Sequence, residues 1–310
     1  MDAHALVQGV LAGDRRAVAR AISAVEDDTD DLEALSEGIF PSTGRAATIG
    51  LTGAPGVGKS TLAAGLVRVC RVRDLRAAVL AVDPTSPYTG GALLGDRVRM
   101  QEHATDPSVF IRSMATRGHL GGMALAAPEA VRILDAAGYE RVVVETVGVG
   151  QAEVDVAAAT DTAVVVLAPG MGDAVQMAKA GILEVADVFV VNKADRQGAH
   201  EVVRELRQML HLGAARDWDP PVLTTTAVDD DVEDLWEAIE SHRTHLAASG
   251  ALGAKRRVRL LREVEVLAAE RFRLMATAAL EADPALADDL VERRIDPYAA
   301  AAMLVRKAAE

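Results

Sequence analysis

The chain has 310 residues, half of them hydrophobic, with 33 basic against 46 acidic side chains and a net charge of −13. So much apolar material excludes a disordered chain, and the acidic surplus argues against a general nucleic-acid or anionic-membrane binder. The single cysteine, Cys70, excludes an intramolecular disulfide and a cysteine-cluster metal site, and reads as a small packed residue.

Residues 1–44 read as a helical extension. Leu6, Val7, Val10 and Leu11, then Val18, Ala21, Ile22 and Val25, recur at helical spacing, and residues 40–44 are loop chemistry. The acidic run 26–31 suits a solvated helix junction. Over 45–247 the pattern changes. Apolar, β-branched runs at 47–51, 77–82, 109–112, 141–145, 162–168, 188–191 and 222–226 alternate with helical segments starting near Lys59, Pro128, Ala152, Ala174, His200 and Val232. Strands apolar on both faces, alternating with helices, predict an α/β fold with a mostly parallel, doubly wound sheet. Over 248–310 no strand follows. Residues 256–280 read as one long helix with Val258, Leu261, Val264, Leu267 and Ala268 on a stripe, and shorter helices follow at 284–293 and 297–308. Such a tail suits a dimerisation arm, and hence a homodimer. With no leader pattern and no membrane-length apolar run, the expected location is the cytoplasm.

Gly53-Ala54-Pro55-Gly56-Val57-Gly58-Lys59-Ser60-Thr61 matches the phosphate-loop pattern between a strand and a helix. Its glycines let backbone N–H groups curve around a phosphate, Lys59 reaches the terminal phosphates, and the Ser60 hydroxyl ligates Mg²⁺. Lysine is scarce in this chain, and two of its five, Lys59 and Lys193, fall in nucleotide motifs. The strand at 188–191 ends in Asn192-Lys193-Ala194-Asp195, the guanine-reading N-K-x-D pattern. Asp195 can accept from both guanine donors, Lys193 can cover the base, and Asn192 can tie this loop to the phosphate loop. Thr226, Ala227 and Val228, at the next strand end, stand where a second base loop belongs.

Two further strand ends carry carboxylates, Asp83 and Glu145, each suited to Mg²⁺ directly or through water, with Asp96 as a third candidate. Glu145-Thr146-Val147-Gly148 stands in place of a D-x-x-G segment, with the Gly148 amide near the γ-phosphate. Lys59, Asp96, Glu145 and Gln151 are the candidate catalytic residues. Yet Val149 directly follows Gly148 where a water-orienting Gln is usual, and Gln151 comes two residues later. No arginine finger is evident, although Arg99, Arg112 and Arg117 fall in candidate loops. His242 and His245 are read as packing residues and not as a metal pair.

Residues 52–61, 81–100, 145–153 and 186–195 together resemble the MeaB/ArgK family of GTPases, chaperones of adenosylcobalamin-dependent methylmalonyl-CoA mutase. The resemblance implies a GTPase core of the signal-recognition/MinD type that binds GTP or GDP with Mg²⁺. It also implies N-terminal and C-terminal helical extensions, the latter dimerising, and an adenosylcobalamin-dependent acyl-CoA mutase as partner. The family's Mg²⁺ carboxylates fall on Asp83, Asp96 and Glu145, and its partner-sensing switch on residues 169–179, with Gly170, Asp173, Gln176 and Lys179. Met171, Ala174 and Val175 depart from the usual switch sequence. Two alternatives stand beside this reading: a nickel metallochaperone-type GTPase, disfavoured by the lone Cys70, and a small-molecule kinase, which gains nothing from guanine selectivity.

Overall fold

The computed structural model describes residues 3–27, 29, 31–83, 103, 105–115, 122–146, 158–170, 182–213, 216–229 and 232–308. It divides into two compact units, Met1–Arg259 and Leu260–Glu310. The first is built on seven strands: β1 (Ala47–Thr52), β2 (Ala77–Asp83), β3 (Val109–Ala115), β4 (Arg141–Thr146), β5 (Thr162–Leu167), β6 (Val188–Asn192) and β7 (Val222–Thr225). They form one all-parallel sheet in the order β3-β2-β4-β1-β5-β6-β7. All seven strands expected from the sequence are present.

Alternation along each strand feeds two layers. Ala78, Leu80, Val82, Val142 and Val144 face α1 (Ala3–Leu11), α2 (Arg15–Asp27), α3 (Leu32–Ile39) and α5 (Gly122–Ala136). Val79, Val143, Val164, Val166 and Val190 face the opposite layer, made by α4 (Lys59–Val72) and α8 (Glu233–Ser249). At the other end of the sheet Val165, Leu167, Phe189 and Val191 pack on α7 (Ala199–Leu212), beyond the short α6 (Ile182–Val185). Ile22, Leu35 and Ile39 are fully buried, each contributing roughly 1.5–3 kcal/mol. The N-terminal helices thus share a core with the sheet. Boundaries differ from expectation at three places: β3 runs on to Ala115, the long helix starts at Ala251, and α5 starts at Gly122, not Pro128, and carries Pro128 inside it. The helix absorbs the missing N–H there, because Ala127, Ala130, Ile133 and Leu134 give it a buried face. The expected helix starts at Ala152 and Ala174 lie outside the described residues.

The N-terminal ends of the strands hold a charged cluster. Asp161, just before β5, is 3% exposed. Its carboxylate accepts from Arg256 NH2 at 2.6 Å, from Arg259, and from Thr48 N at 3.2 Å. Lys255 Nζ donates to Asp161 O at 2.8 Å and to Asp187 Oδ2 at 3.0 Å. Burial pushes the Asp161 carboxyl up, but the hydrogen bonds and charge of Arg256 and Arg259 outweigh it and hold it below its ordinary value. Beside it, His242 Nδ1 lies 2.9 Å from Thr162 Oγ1, and its Nε2 lies 3.4 Å from Asp187 Oδ1. Burial lowers the pKa of His242, and its ring packs on Trp218, in keeping with a packing role. The three cations belong to the first turns of α9 (Ala251–Glu281), the long helix expected at 256–280.

No residue of α9 is buried, and Val258, Leu261, Val264 and Leu267 are among its exposed apolar side chains. α10 (Pro284–Val291) and α11 (Pro297–Ala308) follow. Each opens on Asp-Pro: Asp283 Oδ1 accepts from Leu286 N, and Asp296 Oδ1 from Tyr298 N and Ala299 N, so the carboxylate caps while proline occupies the first turn. Among the described residues no helix is long and apolar enough to cross a membrane.

Candidate functional site

Strand β1 is central, flanked by β4 and β5, and the loop 53–58 leaves its C-terminal end to enter α4. The chain turns there through left-handed backbone, with φ of 137° at Gly53, 78° at Gly56 and 104° at Gly58. A side chain at Gly53 would collide with Val166 O, and one at Gly58 with Asn192 Nδ2. Glycine is therefore required both by conformation and by close approach. Pro55 and Gly56 are exposed at the loop's tip, Ala54 and Thr61 are half-buried, and Val57 is buried.

Lys59 is buried at the first turn of α4, and its Nζ donates to Gly53 O at 2.5 Å and Ala54 O at 3.1 Å. Ser60, also buried, donates through Oγ to Glu145 Oε1 at 2.6 Å. The pair forms because Leu51 lies beside Glu145 in register, so the end of β4 points its carboxylate at the start of α4. A hydroxyl and a carboxylate oxygen converging at a helix N-terminus are hard donors of the kind Mg²⁺ takes, so this pair fits the ion. Asp83 ends β2, two strands from β1 across β4.

The loop after β6 closes the other side. Asn192 Nδ2 donates to Val57 O at 2.8 Å, and its Oδ1 accepts from Ala227 N at 3.1 Å. One buried amide thus joins the phosphate loop, the 192–195 loop and the loop after β7. Lys193 has φ of 57° and donates through Nζ to Gly56 O at 2.5 Å. Asp195 and Val228 are exposed, Thr226 is half-buried and Ala227 is buried. Three threonine hydroxyls at strand C-terminal ends, Thr52, Thr146 and Thr225, are buried without a hydrogen-bond partner among the described residues. The sequence places all three inside or beside its motif segments but gives their hydroxyls no role, although threonine at the end of an apolar strand is a visible signal.

Asp96, Gly148, Gln151, Asp173, Gln176 and Lys179 lie outside the described residues, as do Arg99 and Arg117; Gly170 is described, with φ of 72°. Arg112 is corrected: it sits within β3, not in a loop, and its guanidinium donates to Ser23 Oγ at 2.9 Å and to Glu26. These bonds hold it as a structural link to α2.

A parallel α/β sheet whose phosphate loop and N-K-x-D loop are laced together by one asparagine defines a phosphate-loop GTPase. Comparison with known proteins narrows the class. The family model described as methylmalonyl-CoA mutase-associated GTPase MeaB matches residues 18–281, and the chain belongs to that family. A putative GTPase of Pyrococcus horikoshii is 47% identical over 97% of each chain. The mouse mitochondrial protein described as methylmalonic aciduria type A homolog is 34% identical, over 81% of this chain and 65% of its own length. A crystal structure described as a LAO/AO transport system kinase superposes with a TM-score of 0.72 at 26% identity, covering 99% of this chain and 98% of its own. As a member of this GTPase family, the chain binds guanine nucleotide and hydrolyses GTP.

Proposed function

We propose that this GTPase is a cytoplasmic chaperone that assists loading and protection of an adenosylcobalamin-dependent acyl-CoA mutase, methylmalonyl-CoA mutase first. The observation that carries the reading is the family membership, whose description names that mutase, together with a nucleotide site laced through Asn192. In this reading residues 53–61 hold the phosphates and Lys59 turns its ammonium from the loop carbonyls to the terminal phosphates. Asp195 accepts the guanine N1–H and 2-amino protons, Lys193 covers the base, and Thr226, Ala227 and Val228 complete the base pocket. Ser60 and Glu145, with Asp83 and Asp96, would hold Mg²⁺, which supplies charge neutralisation at the phosphates. Gln151 is the candidate to orient water. Gly148 and the segment with Gly170, Asp173, Gln176 and Lys179 would sense the partner. The unburied apolar side chains of α9 support a homodimer through residues 248–310, since so much exposed apolar surface seeks a cover.

With no Gln directly after Gly148, hydrolysis by the lone chain is expected to be slow and to quicken with the mutase. Single-turnover GTP hydrolysis with and without mutase tests this. An unchanged rate, together with no binding of the mutase, would remove the chaperone reading. Sedimentation of the full chain tests the dimer, and a monomer at micromolar concentration would remove the arm.

A further inference from the structure

We infer that Thr225 is a positioning residue for guanine recognition: its hydroxyl takes over the Asn192 side-chain oxygen when the base claims the Ala227 N–H. The inference rests on the base pocket proposed above. Thr225 is 3% exposed, and its hydroxyl has no hydrogen-bond partner among the described residues. A buried hydroxyl left without a partner is unfavourable, and native folds keep few of them. Its place in the sheet shows what it faces. β6 and β7 pair with Val190 beside Leu223 and Asn192 beside Thr225. Val190 and Leu223 share the core layer of α4 and α8, while Phe189 and Val222 share the opposite one. Residues two apart on a strand point the same way, so the Thr225 hydroxyl and the Asn192 amide stand side by side on the phosphate-loop face. Paired strands lie about 4.8 Å apart, which brings the two groups within hydrogen-bond reach on rotation about the Thr225 Cα–Cβ bond. Thr52 and Thr146 differ: they lie beside Val165 and Val82, on the other face.

Asn192 is where the need arises. Its Oδ1 accepts from Ala227 N at 3.1 Å while its Nδ2 donates to Val57 O at 2.8 Å. The two loops are also tied by Ala194 N, which donates to Thr225 O at 3.0 Å. With Asp195 taking the guanine N1–H and 2-amino protons, the acceptor left on that edge of the base is O6, and Ala227 N is the pocket amide that meets it. An amide has one proton. Given to O6, it leaves the buried Asn192 Oδ1 without its donor, at the cost any buried orphan carries. Thr225 supplies the replacement: its hydroxyl donates to Asn192 Oδ1, and Asn192 keeps its hold on the phosphate loop. The exchange orphans no buried group and gives the Thr225 hydroxyl a partner. Adenine carries an amino group where guanine carries O6. That group cannot accept the Ala227 proton, so the exchange is not set off and the relay adds to guanine selectivity.

The experiment is calorimetry of the full chain with GTP, GDP and 2-aminopurine riboside triphosphate, which keeps the 2-amino group and lacks O6. Thr225→Val, a near-isosteric change that suits a strand, should weaken GTP and GDP about tenfold. It should leave affinity for the O6-free nucleotide unchanged, and leave or raise the thermal midpoint of the nucleotide-free chain. Thr225→Ser should restore GTP affinity. Equal loss for the O6-free nucleotide, a lowered midpoint without nucleotide, or no rescue by serine would each overturn the relay, because the hydroxyl or methyl would then serve the fold and not the base. Asp195→Asn controls for the pocket itself. If it weakens GTP while Thr225→Val does not, the base pocket stands and the relay is refuted. If Asp195→Asn leaves GTP affinity unchanged, pocket and relay fall together.

Discussion

The two ends of the sheet treat buried polar groups in opposite ways. At the N-terminal end Asp161 is saturated, its carboxylate shared between Arg256, Arg259 and the backbone of Thr48. At the C-terminal end Lys59 rests on carbonyls of its own loop, and the hydroxyls of Thr52, Thr146 and Thr225 lie buried without partners among the described residues. Orphaned buried hydroxyls are uncommon in native proteins. The contrast teaches that polar groups of one chain serve two ends: a closed set holds the base of α9, and an open set keeps capacity for a ligand.

The sharpest way to break the contrast is to remove one group from each end. Lys59→Ala should lower GTP turnover by roughly 10²–10³-fold, as loss of a charge-stabilising donor does elsewhere, while moving the urea midpoint little. Asp161→Asn should do the reverse. It should cost about 3 kcal/mol of stability, because it strips the charge partner from two buried-side guanidinium groups, and leave GTP affinity near wild type. Urea unfolding and calorimetry decide both, and a large turnover loss in Asp161→Asn would show the two ends coupled. The Asp161 contribution should be complete above pH 3.8, its ordinary value, and be lost as pH falls below it, since the folded form holds the carboxylate deprotonated.

Two smaller effects sharpen the comparison. Asp195→Asn should weaken GTP by roughly 10–100-fold, the equivalent of one charge-assisted hydrogen bond, with stability unchanged because Asp195 is exposed. Smallest is a pH effect at His242. Burial lowers its folded pKa from 6.5, so the unfolded chain takes up the proton first, and stability should decline as pH drops below 6.5. Urea midpoints on either side of that pH, with and without His242→Gln, measure it; an equal decline in the variant would assign the effect elsewhere.

The open end was more legible in the sequence than the closed one. Phosphate-loop and N-K-x-D chemistry is local, since each motif needs its residues within a few positions, and the strands read as apolar runs because both faces are covered. The Ser60–Glu145 contact spans 85 residues, yet both partners sit at strand or helix ends where carboxylates and hydroxyls draw notice. The Asp161–Arg256 pair spans 95 residues and belongs to no motif. Its local trace is a carboxylate directly before a strand that is apolar after its first residue, Thr162, and a basic run Lys255-Arg256-Arg257 far downstream. Pro128 misled for a related reason: proline at a helix start is the local preference, and only the buried face of α5 reveals that the helix runs through it.

The buried thiol of Cys70 has a practical consequence. It is the chain's one cysteine, 1% exposed, on the helix that opens at the phosphate loop, and burial pushes it up to about 12. A thiol reagent therefore waits for that helix to open, and its reaction rate on the untagged protein is a clock for the opening. Because a bound nucleotide lowers the population of the opened form by the factor 1 + [L]/Kd, the slowing of that clock on adding GTP, GDP or the mutase reads each affinity from a single sulfur.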